Sequence, residues 1–132
     1  MTAVTKSIAL ACSAEVAWRF LADGSRWPQW AIRNVLESRP AGEKSWEIRT
    51  PRGTGILRIR GIEAHGILDH DFIDPKEGTW TVPARVVPLS SGSAFMMTLE
   101  KPAGMPAEAF EQGLQELDVE LAQLARLSST LS

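Results

Sequence analysis

The chain has 132 residues, of which 44% are hydrophobic and 23% are charged, and its formal net charge is −2. This length suits one domain with a single core, which we place at residues 1–132, and the composition excludes a disordered or membrane-embedded chain. The slightly negative charge argues against bulk electrostatic binding to nucleic acid, and the single cysteine, Cys12, excludes an internal disulfide. We therefore expect a cytoplasmic protein that neither binds nucleic acid nor inserts into a membrane.

The first predicted elements are a strand and two short helices. Apolar side chains alternate with smaller or polar ones over residues 4–10, which is typical of a strand. Ser13 is a suitable cap for a short helix over residues 14–22, which an Asp-Gly pair would end. The sequence WPQW at residues 27–30 predicts a tight turn or a second short helix, with both tryptophans in the local core.

Short β-rich runs, separated by turn sequences rich in Pro, Gly, Asp and Ser, fill the middle of the chain. Together with the first strand they predict an antiparallel sheet of about seven strands. No run approaches the roughly 20 apolar residues that a membrane-spanning helix needs. The six predicted strands of this region cover residues 35–39, 44–50, 55–63, 67–74, 79–88 and 93–100.

The strongest periodic signal belongs to a long C-terminal helix, predicted at residues 106–127. Gly113 interrupts its pattern on what we expect to be the apolar side, where glycine costs roughly 1 kcal/mol relative to alanine. Two explanations stay open: the helix packs closely against a strand there, or it stands off from the sheet over a cavity. Apolar residues recur at steps of three and four along this helix, at Phe110, Leu114, Leu117, Leu121 and Leu124.

Four segments carry a resemblance to a known superfamily: WRFLADGSRWPQW at residues 18–30, GILDH at 66–70, PARVVP at 83–88 and PAGM at 102–105. With the order of elements, they make the chain similar to the helix-grip fold of the START-related (SRPBCC) superfamily, and within it to the bacterial polyketide cyclase/dehydrase-like group. The resemblance implies an α+β fold whose antiparallel sheet wraps around the long helix, with a deep cavity between them for an apolar small molecule. It implies no catalytic residue, because members share a cavity and not a catalytic constellation.

Hairpin geometry predicts which strand residues share the face that the long helix covers. Four-residue loops would align the apolar residues of most strands, and a three-residue loop at residues 64–66 would add Asp69 and Asp71 to them. One β-bulge would reverse this strand and bring His70 inside instead. The expected ligand-binding residues are Trp46, Ile48, Leu57, Ile59, Asp69, Asp71, Trp80, Val82, Phe95, Met97, Gly113 and Leu117.

Asp69, Asp71 and His70 are the candidate catalytic residues. The two carboxylates would lie about 7 Å apart in an apolar surround, so we expect a raised pKa for at least one of them. A solvated position at the mouth of the cavity stays open as an alternative. Neighbouring strand residues point to opposite faces, so His70 and Asp69 do not aim at one centre, and we expect neither a metal nor another cofactor.

Arginines at positions 49, 52, 58 and 60 form a basic cluster. We expect Glu47 to lie directly opposite Arg58 and to neutralise part of this charge. No aromatic residues are interleaved with the arginines, as stacking on single-stranded nucleic acid would require. The cluster is therefore interpreted as a solvated outer face.

The expected function is the binding of a lipid-like, polyketide-like or other hydrophobic metabolite by a monomer or homodimer. One alternative is a cyclase or dehydratase that uses the aspartates or His70 as proton-transfer groups. The other is a protein-partner module that resembles chaperone-ATPase activators, which would require a contiguous exposed apolar patch.

Overall fold

The computed structural model describes residues 2–132, which form one antiparallel sheet with two α-helices and two 3-10 turns. The helices are α1 (Ala14–Ala22) and α2 (Ala107–Ser128), and the 3-10 turns cover Gly24–Gln29 and Glu63–His65. The strands are β1 (Ala3–Leu10), β2 (Glu37–Pro40), β3 (Ser45–Thr50), β4 (Gly53–Ile62), β5 (Ile67–Asp74), β6 (Gly78–Val82), β7 (Ala84–Leu89) and β8 (Gly92–Glu100).

The strands follow the order β1-β8-β7-β5-β4-β3-β2, and β6 pairs with β5. One face of this sheet, the inner face, packs with α1, the first 3-10 turn and α2 into a single hydrophobic core. The predicted α+β helix-grip fold is confirmed, including the two short helices after β1, the second of which is the 3-10 turn. No helix within residues 2–132 combines the length and apolar composition of a membrane crossing.

Pro83 divides the predicted strand of residues 79–88 into β6 and β7. Proline has no N–H group to donate to a neighbouring strand, so regular pairing is interrupted at this position. Before the break, β6 pairs with β5, whereas β7 pairs mainly with β8. The carbonyl of Pro83 still accepts a hydrogen bond from the Thr98 N–H at 2.9 Å. The sheet in the described chain therefore has eight strand segments where about seven were predicted.

The β3–β4 hairpin turns on two residues, Pro51 and Arg52, because Thr50 pairs with Gly53. This register differs by two positions from the predicted one, so the inner and outer faces are unchanged and Trp46 lies opposite Leu57 on the inner face. The predicted pairing of Glu47 with Arg58 is wrong. Glu47 instead lies opposite Arg39 of β2, whose guanidinium donates to its carboxylate.

The β4–β5 connection has four residues instead of the predicted three, since Ile62 pairs with Ile67. Gly66 ends its 3-10 turn with a left-handed backbone (φ 67°), and the Gly66 N–H donates to the Glu63 carbonyl at 3.1 Å. The extra residue reverses the predicted faces of β5. His70 therefore lies opposite Ile59 on the inner face.

Gly113 of α2 is exposed, and a Cβ atom at this position would contact nothing within 4 Å. The prediction that it lies on the buried side of the helix is wrong. The sheet does not cover this flank of the N-terminal half of α2. Two turns later, on the same flank, Glu120 is buried because the segment of residues 31–35 covers it.

Candidate functional site

Five side-chain rings meet on the inner face and form what we call the interior aromatic cluster. The Trp27 ring centroid lies 4.9 Å from the centroids of both Trp30 and His70. Phe72 packs edge-on against His70 at 5.5 Å, and Phe95 of β8 packs against Trp30 at 6.0 Å. The Trp27–Trp30 contact is tilted and the other three are edge-to-face, and edge-to-face contacts are favourable for aromatic pairs. The cluster thus links β5 and β8 to the segment that follows α1.

The first 3-10 turn brings the two tryptophans of the cluster together. A 3-10 helix has three residues per turn, so the side chains of Trp27 and Trp30 project from the same side. Asp23 caps the turn by accepting from the Ser25 N–H at 3.1 Å, and Trp27 is anchored by its Nε1–H, which donates to the Leu21 carbonyl at 2.8 Å. The six-residue turn and the residue that ends it, Trp30, therefore bring two large rings into the core.

Gly24 lets this turn lie directly on the sheet. A Cβ atom at position 24 would collide with the indole ring of Trp46 on β3. The turn and β3 are thus in close contact, and only glycine fits between them without displacement of the ring. Trp46 is half-buried and covers one margin of the inner face.

His70 is fully buried, with 0% of its surface exposed, and its ring has a defined proton position. Nδ1 lies 2.9 Å from the Leu68 carbonyl oxygen. A carbonyl only accepts hydrogen bonds, so Nδ1 carries the proton and Nε2 keeps its lone pair. Burial lowers the pKa of His70 to about 4, against weaker opposing effects of the Leu68 carbonyl and Asp71. The imidazole is therefore neutral at pH 7.

Two polar atoms of the cluster have no hydrogen-bond partner among residues 2–132: Nε1–H of Trp30 and Nε2 of His70. The first is a donor and the second is an acceptor. A buried polar atom without a partner costs roughly 1–3 kcal/mol, so native structures contain few of them. Both atoms belong to rings that contact Trp27.

Most of the predicted ligand-binding residues surround this cluster in the core. Trp80, at another margin of the inner face, is half-buried and donates from Nε1 to the Glu100 carbonyl at 3.2 Å. The structure therefore brings the apolar part of the predicted site together. The buried members of the predicted set are Ile48, Leu57, Ile59, Val82, Phe95, Met97 and Leu117.

Asp69 and Asp71 face away from this core, so the prediction that they line the interior is wrong. Asp71 lies opposite Arg58 and accepts hydrogen bonds from Arg60 Nη2 at 3.0 Å and from Thr81 Oγ1 at 2.7 Å. Asp69 accepts from the Ala84 N–H at 2.9 Å. The aspartates join neighbouring strands on the outer face of the sheet.

The expected rise in an aspartate pKa is also wrong for Asp71. Burial alone would raise the pKa of Asp71, but hydrogen bonds from Arg60 and Thr81 and the positive charge of Arg60 together lower it. In the described part of the chain, no three His, Cys, Asp or Glu side chains are grouped as they would be around a metal ion. Among the three predicted catalytic candidates, only His70 reaches the interior.

Glu120 of α2 is a buried carboxylate that the sequence analysis missed. Its Oε2 accepts from the backbone N–H groups of Arg33 and Asn34, each at 3.0 Å, and the Asn34 side-chain amide donates to both carboxylate oxygens. Burial raises the pKa of Glu120, although these hydrogen bonds oppose the rise. We call this contact the Glu120 latch. This contact holds the segment that directly follows Trp30 against α2.

The surface of the described chain includes two open grooves beside these elements. One, of about 430 Å³, lies between α2 and the β3–β4 turn and includes Arg33, Pro51 and Glu116. The other, of about 410 Å³, lies between α1, the second 3-10 turn and β7, and includes Trp18 and Arg85. The first groove adjoins the Glu120 latch. The apolar side chains predicted to line a deep cavity belong to the continuous hydrophobic core or pack against it.

Solved structures with the same fold include proteins of several kinds. The di-domain ARO/CYC protein BexL, from the BE-7585A biosynthetic pathway, has a TM-score of 0.76 and 15% identity over 96% of this chain, which spans 46% of BexL. A START superfamily protein from Mycobacterium smegmatis has a TM-score of 0.71 and 14% identity, with 97% of both chains covered. Aha1 from Colwellia psychrerythraea, solved as a dimer, has a TM-score of 0.76 and 11% identity over 97% of this chain and 96% of its own.

These similarities establish the fold. The sequence matches no protein-family model and no curated protein. At identities of 11–15%, structural likeness does not transfer an activity or a ligand from one protein to another. A functional proposal for this chain therefore has to rest on its own side chains.

Proposed function

We propose that this helix-grip protein binds an apolar small molecule between its sheet and α2, with the interior aromatic cluster as the anchor of the ligand. The observation that carries the proposal is His70, a fully buried imidazole between Leu68 and Phe72 on the inner face of β5. Its surroundings lower its pKa to about 4. Strongly perturbed titratable groups are concentrated at functional sites, because proteins retain such an unfavourable group mainly where a site uses it.

The composition of the site supports binding of a ring-containing or other flat apolar ligand. Small-molecule sites are mostly apolar and aromatic, with a few polar groups that orient the ligand. Trp27, Trp30, Phe72 and Phe95 supply the aromatic walls, and His70 supplies the polar group. BexL and the START superfamily protein have the same fold.

Ligand entry requires part of this closed core to open. The groove between α2 and the β3–β4 turn is lined by one flank of α2, and Gly113 faces open space nearby on the same helix. The Glu120 latch holds the segment after Trp30 against α2. We therefore place the entrance between α2 and residues 31–35.

A cyclase or dehydratase activity is the second candidate, and it depends on a single atom. Nε2 of His70 is an unprotonated nitrogen in the interior, so it could accept a proton from a bound substrate. General bases work best when their pKa lies near the working pH, and a pKa of about 4 makes this imidazole a weak base. Asp69 and Asp71 face outward, so neither is available beside it as a second titratable group. The observation therefore favours binding over proton transfer.

Nitrogen-15 NMR of the indole N–H groups tests the proposed site, with naphthalene as the apolar probe. Saturating naphthalene should shift the indole resonances of Trp27 and Trp30. Trp18 is an internal control, because its indole N–H donates to the Ile67 carbonyl beside the groove at α1. If only the Trp18 resonance moves, or if none does, the interior is not a binding site for apolar molecules.

Native mass spectrometry of the protein purified from cells gives a second measurement. A small mass that is removed by mild organic extraction would identify a bound metabolite. Its conversion to a different mass on incubation with extracted protein would favour the enzyme activity, whereas unchanged rebinding would favour the binding function.

A further inference from the structure

We infer that the ligand of the interior aromatic cluster carries a hydroxyl group, which donates its hydrogen to Nε2 of His70 and accepts a hydrogen from Nε1–H of Trp30. This inference rests on the proposed function, because it names the chemical class that the same site recognises. Its basis is the pair of buried polar atoms that find no partner within residues 2–132.

The hydrogen-bonding roles of the two atoms are defined. An indole nitrogen only donates, so Trp30 requires an acceptor. His70 uses its Nδ1 hydrogen for the Leu68 carbonyl at 2.9 Å, so its Nε2 requires a donor. A single group that pairs with both atoms must therefore donate one hydrogen bond and accept another.

These roles discriminate among ligand groups. A ketone, an ether or a carboxylate only accepts, so it would leave His70 unpaired or place two acceptors against each other. An ammonium group only donates and would leave Trp30 unpaired. A hydroxyl is the smallest group that donates and accepts through a single oxygen. It also carries no charge, which suits a site whose walls are the apolar side chains of the core.

The other buried polar side chains of the described chain already have partners. Ser93 donates to the Cys12 carbonyl at 2.9 Å, and Ser128 accepts from the Ala11 N–H at 2.8 Å. Asp71 and Glu120 are held by the outer-face network and by the latch. The two open positions are thus confined to the interior aromatic cluster, where both rings contact the same Trp27 ring at 4.9 Å.

The experiment compares three probes of nearly equal shape by isothermal titration calorimetry at pH 7. 2-Naphthol both donates and accepts, 2-methoxynaphthalene only accepts, and naphthalene does neither. We expect 2-naphthol to bind about tenfold more tightly than either of the others, since each satisfied hydrogen bond is worth roughly that factor or less. Without the two hydrogen bonds, desolvation of the hydroxyl would make 2-naphthol the weaker ligand.

Two variants test whether His70 and Trp30 cause the preference for 2-naphthol. His70→Asn keeps an N–H donor near the Leu68 carbonyl but lacks Nε2, and Trp30→Phe lacks the indole N–H. Each should lower the preference for 2-naphthol over naphthalene by about fivefold to tenfold. Trp18→Phe is the matched control, because it removes an indole N–H outside the cluster and should leave the preference unchanged.

If a variant does not fold, NMR of the wild-type protein still tests the inference. Because a new hydrogen bond moves a proton downfield, the Trp30 indole proton should lie further downfield in the complex with 2-naphthol than in the complex with naphthalene. Equal binding of all three probes would overturn the inference while the proposed function stands; a trapped water that pairs both atoms would give this result. Binding of none of the probes would overturn both.

Discussion

Asn34 donates its side-chain amide to both carboxylate oxygens of Glu120, at 3.1 and 3.2 Å, across 86 residues of sequence. The same carboxylate also accepts from two backbone N–H groups of that segment. A surface segment is thus attached to the middle of α2 by a buried acceptor. Because this segment directly follows Trp30, the latch couples the position of α2 to one wall of the proposed site.

The Glu120→Ala variant should lose about 2–4 kcal/mol of unfolding free energy, because it leaves buried N–H groups without an acceptor. Urea unfolding monitored by circular dichroism measures this loss. Glu116→Ala, one turn earlier on α2 at the rim of the groove, is the matched control and should change stability by less than about 0.5 kcal/mol. Equal effects of the two substitutions would show that Glu120 is not a latch.

A double-mutant cycle with Asn34→Ala separates the amide contribution from the backbone one. If the side-chain amide pairs with the carboxylate as observed, the two substitutions should be non-additive by about 1 kcal/mol. Additive effects would mean that Glu120 acts through the backbone N–H groups alone.

The Asp71→Asn variant should lower stability at neutral pH by about 1–2 kcal/mol. The substitution removes the charge that pairs with Arg58 and Arg60, whose side chains are about half-exposed, so solvent screening keeps the effect modest. Because the pKa of Asp71 is lowered in the fold, its contribution is present above the unfolded value of 3.8 and disappears as pH falls through the folded one.

Asp69→Asn is the matched control for this measurement. An asparagine carbonyl can still accept from the Ala84 N–H, so we expect a change of less than about 0.5 kcal/mol. Thermal unfolding of both variants at pH 7 compares them. A larger loss of stability for Asp69→Asn than for Asp71→Asn would contradict the contacts of Asp71 with Arg60 and Thr81 on the outer face of the sheet.

Elements with strong local signals were predictable from the sequence. The apolar period of α2 and the Ser13 cap of α1 are read from a few neighbouring residues, and the structure shows both; Ser13 Oγ accepts from the Val16 N–H at 3.2 Å. The WPQW segment predicts two tryptophans in the core, and both are buried. Its contact with His70 was not predictable, because that contact depends on how the 3-10 turn lies over β5.

The orientation of β5 depended on the length of one loop. A connection of three or four residues between β4 and β5 is compatible with the His65-Gly66 pair, yet the two lengths place opposite sets of side chains inside. The observed four-residue connection brings in His70 and turns out Asp69. The burial of Glu120 was equally inaccessible, since its partners come from a distant segment and leave no periodic trace in α2.

The Gly113→Ala variant should stabilise the protein by about 0.5–1 kcal/mol. The position is exposed, helical and free of neighbours within 4 Å of a new Cβ, so the substitution removes only the backbone entropy of glycine. Naphthalene affinity should not change. A destabilised variant in thermal unfolding would mean that α2 packs against another element at this flank.

Gly66→Ala is the contrasting control. Gly66 has a left-handed backbone, and a Cβ there would collide with the Val86 carbonyl oxygen. This substitution should therefore destabilise the protein, by about 1 kcal/mol from the backbone conformation alone and by more from the collision.

The last prediction concerns His70 and acid stability. Burial lowers its pKa from 6.5 to about 4, so between these values the unfolded chain binds a proton that the folded chain does not. The titration of this group therefore does not affect the free energy of unfolding above pH 6.5. As pH falls toward 4 it lowers that free energy, by an amount on the order of 3 kcal/mol. The His70→Asn variant lacks the titrating group, so urea midpoints measured from pH 4 to 7 should fall less steeply for it than for the wild type. Burial raises the pKa of Glu120, which gives a pH dependence of the opposite sign, but Glu120 is present in both proteins and its effect cancels in their difference. Parallel midpoint curves for the two proteins would show that His70 is protonated as readily in the fold as in the unfolded chain, and its imidazole would then be a charged group in contact with solvent.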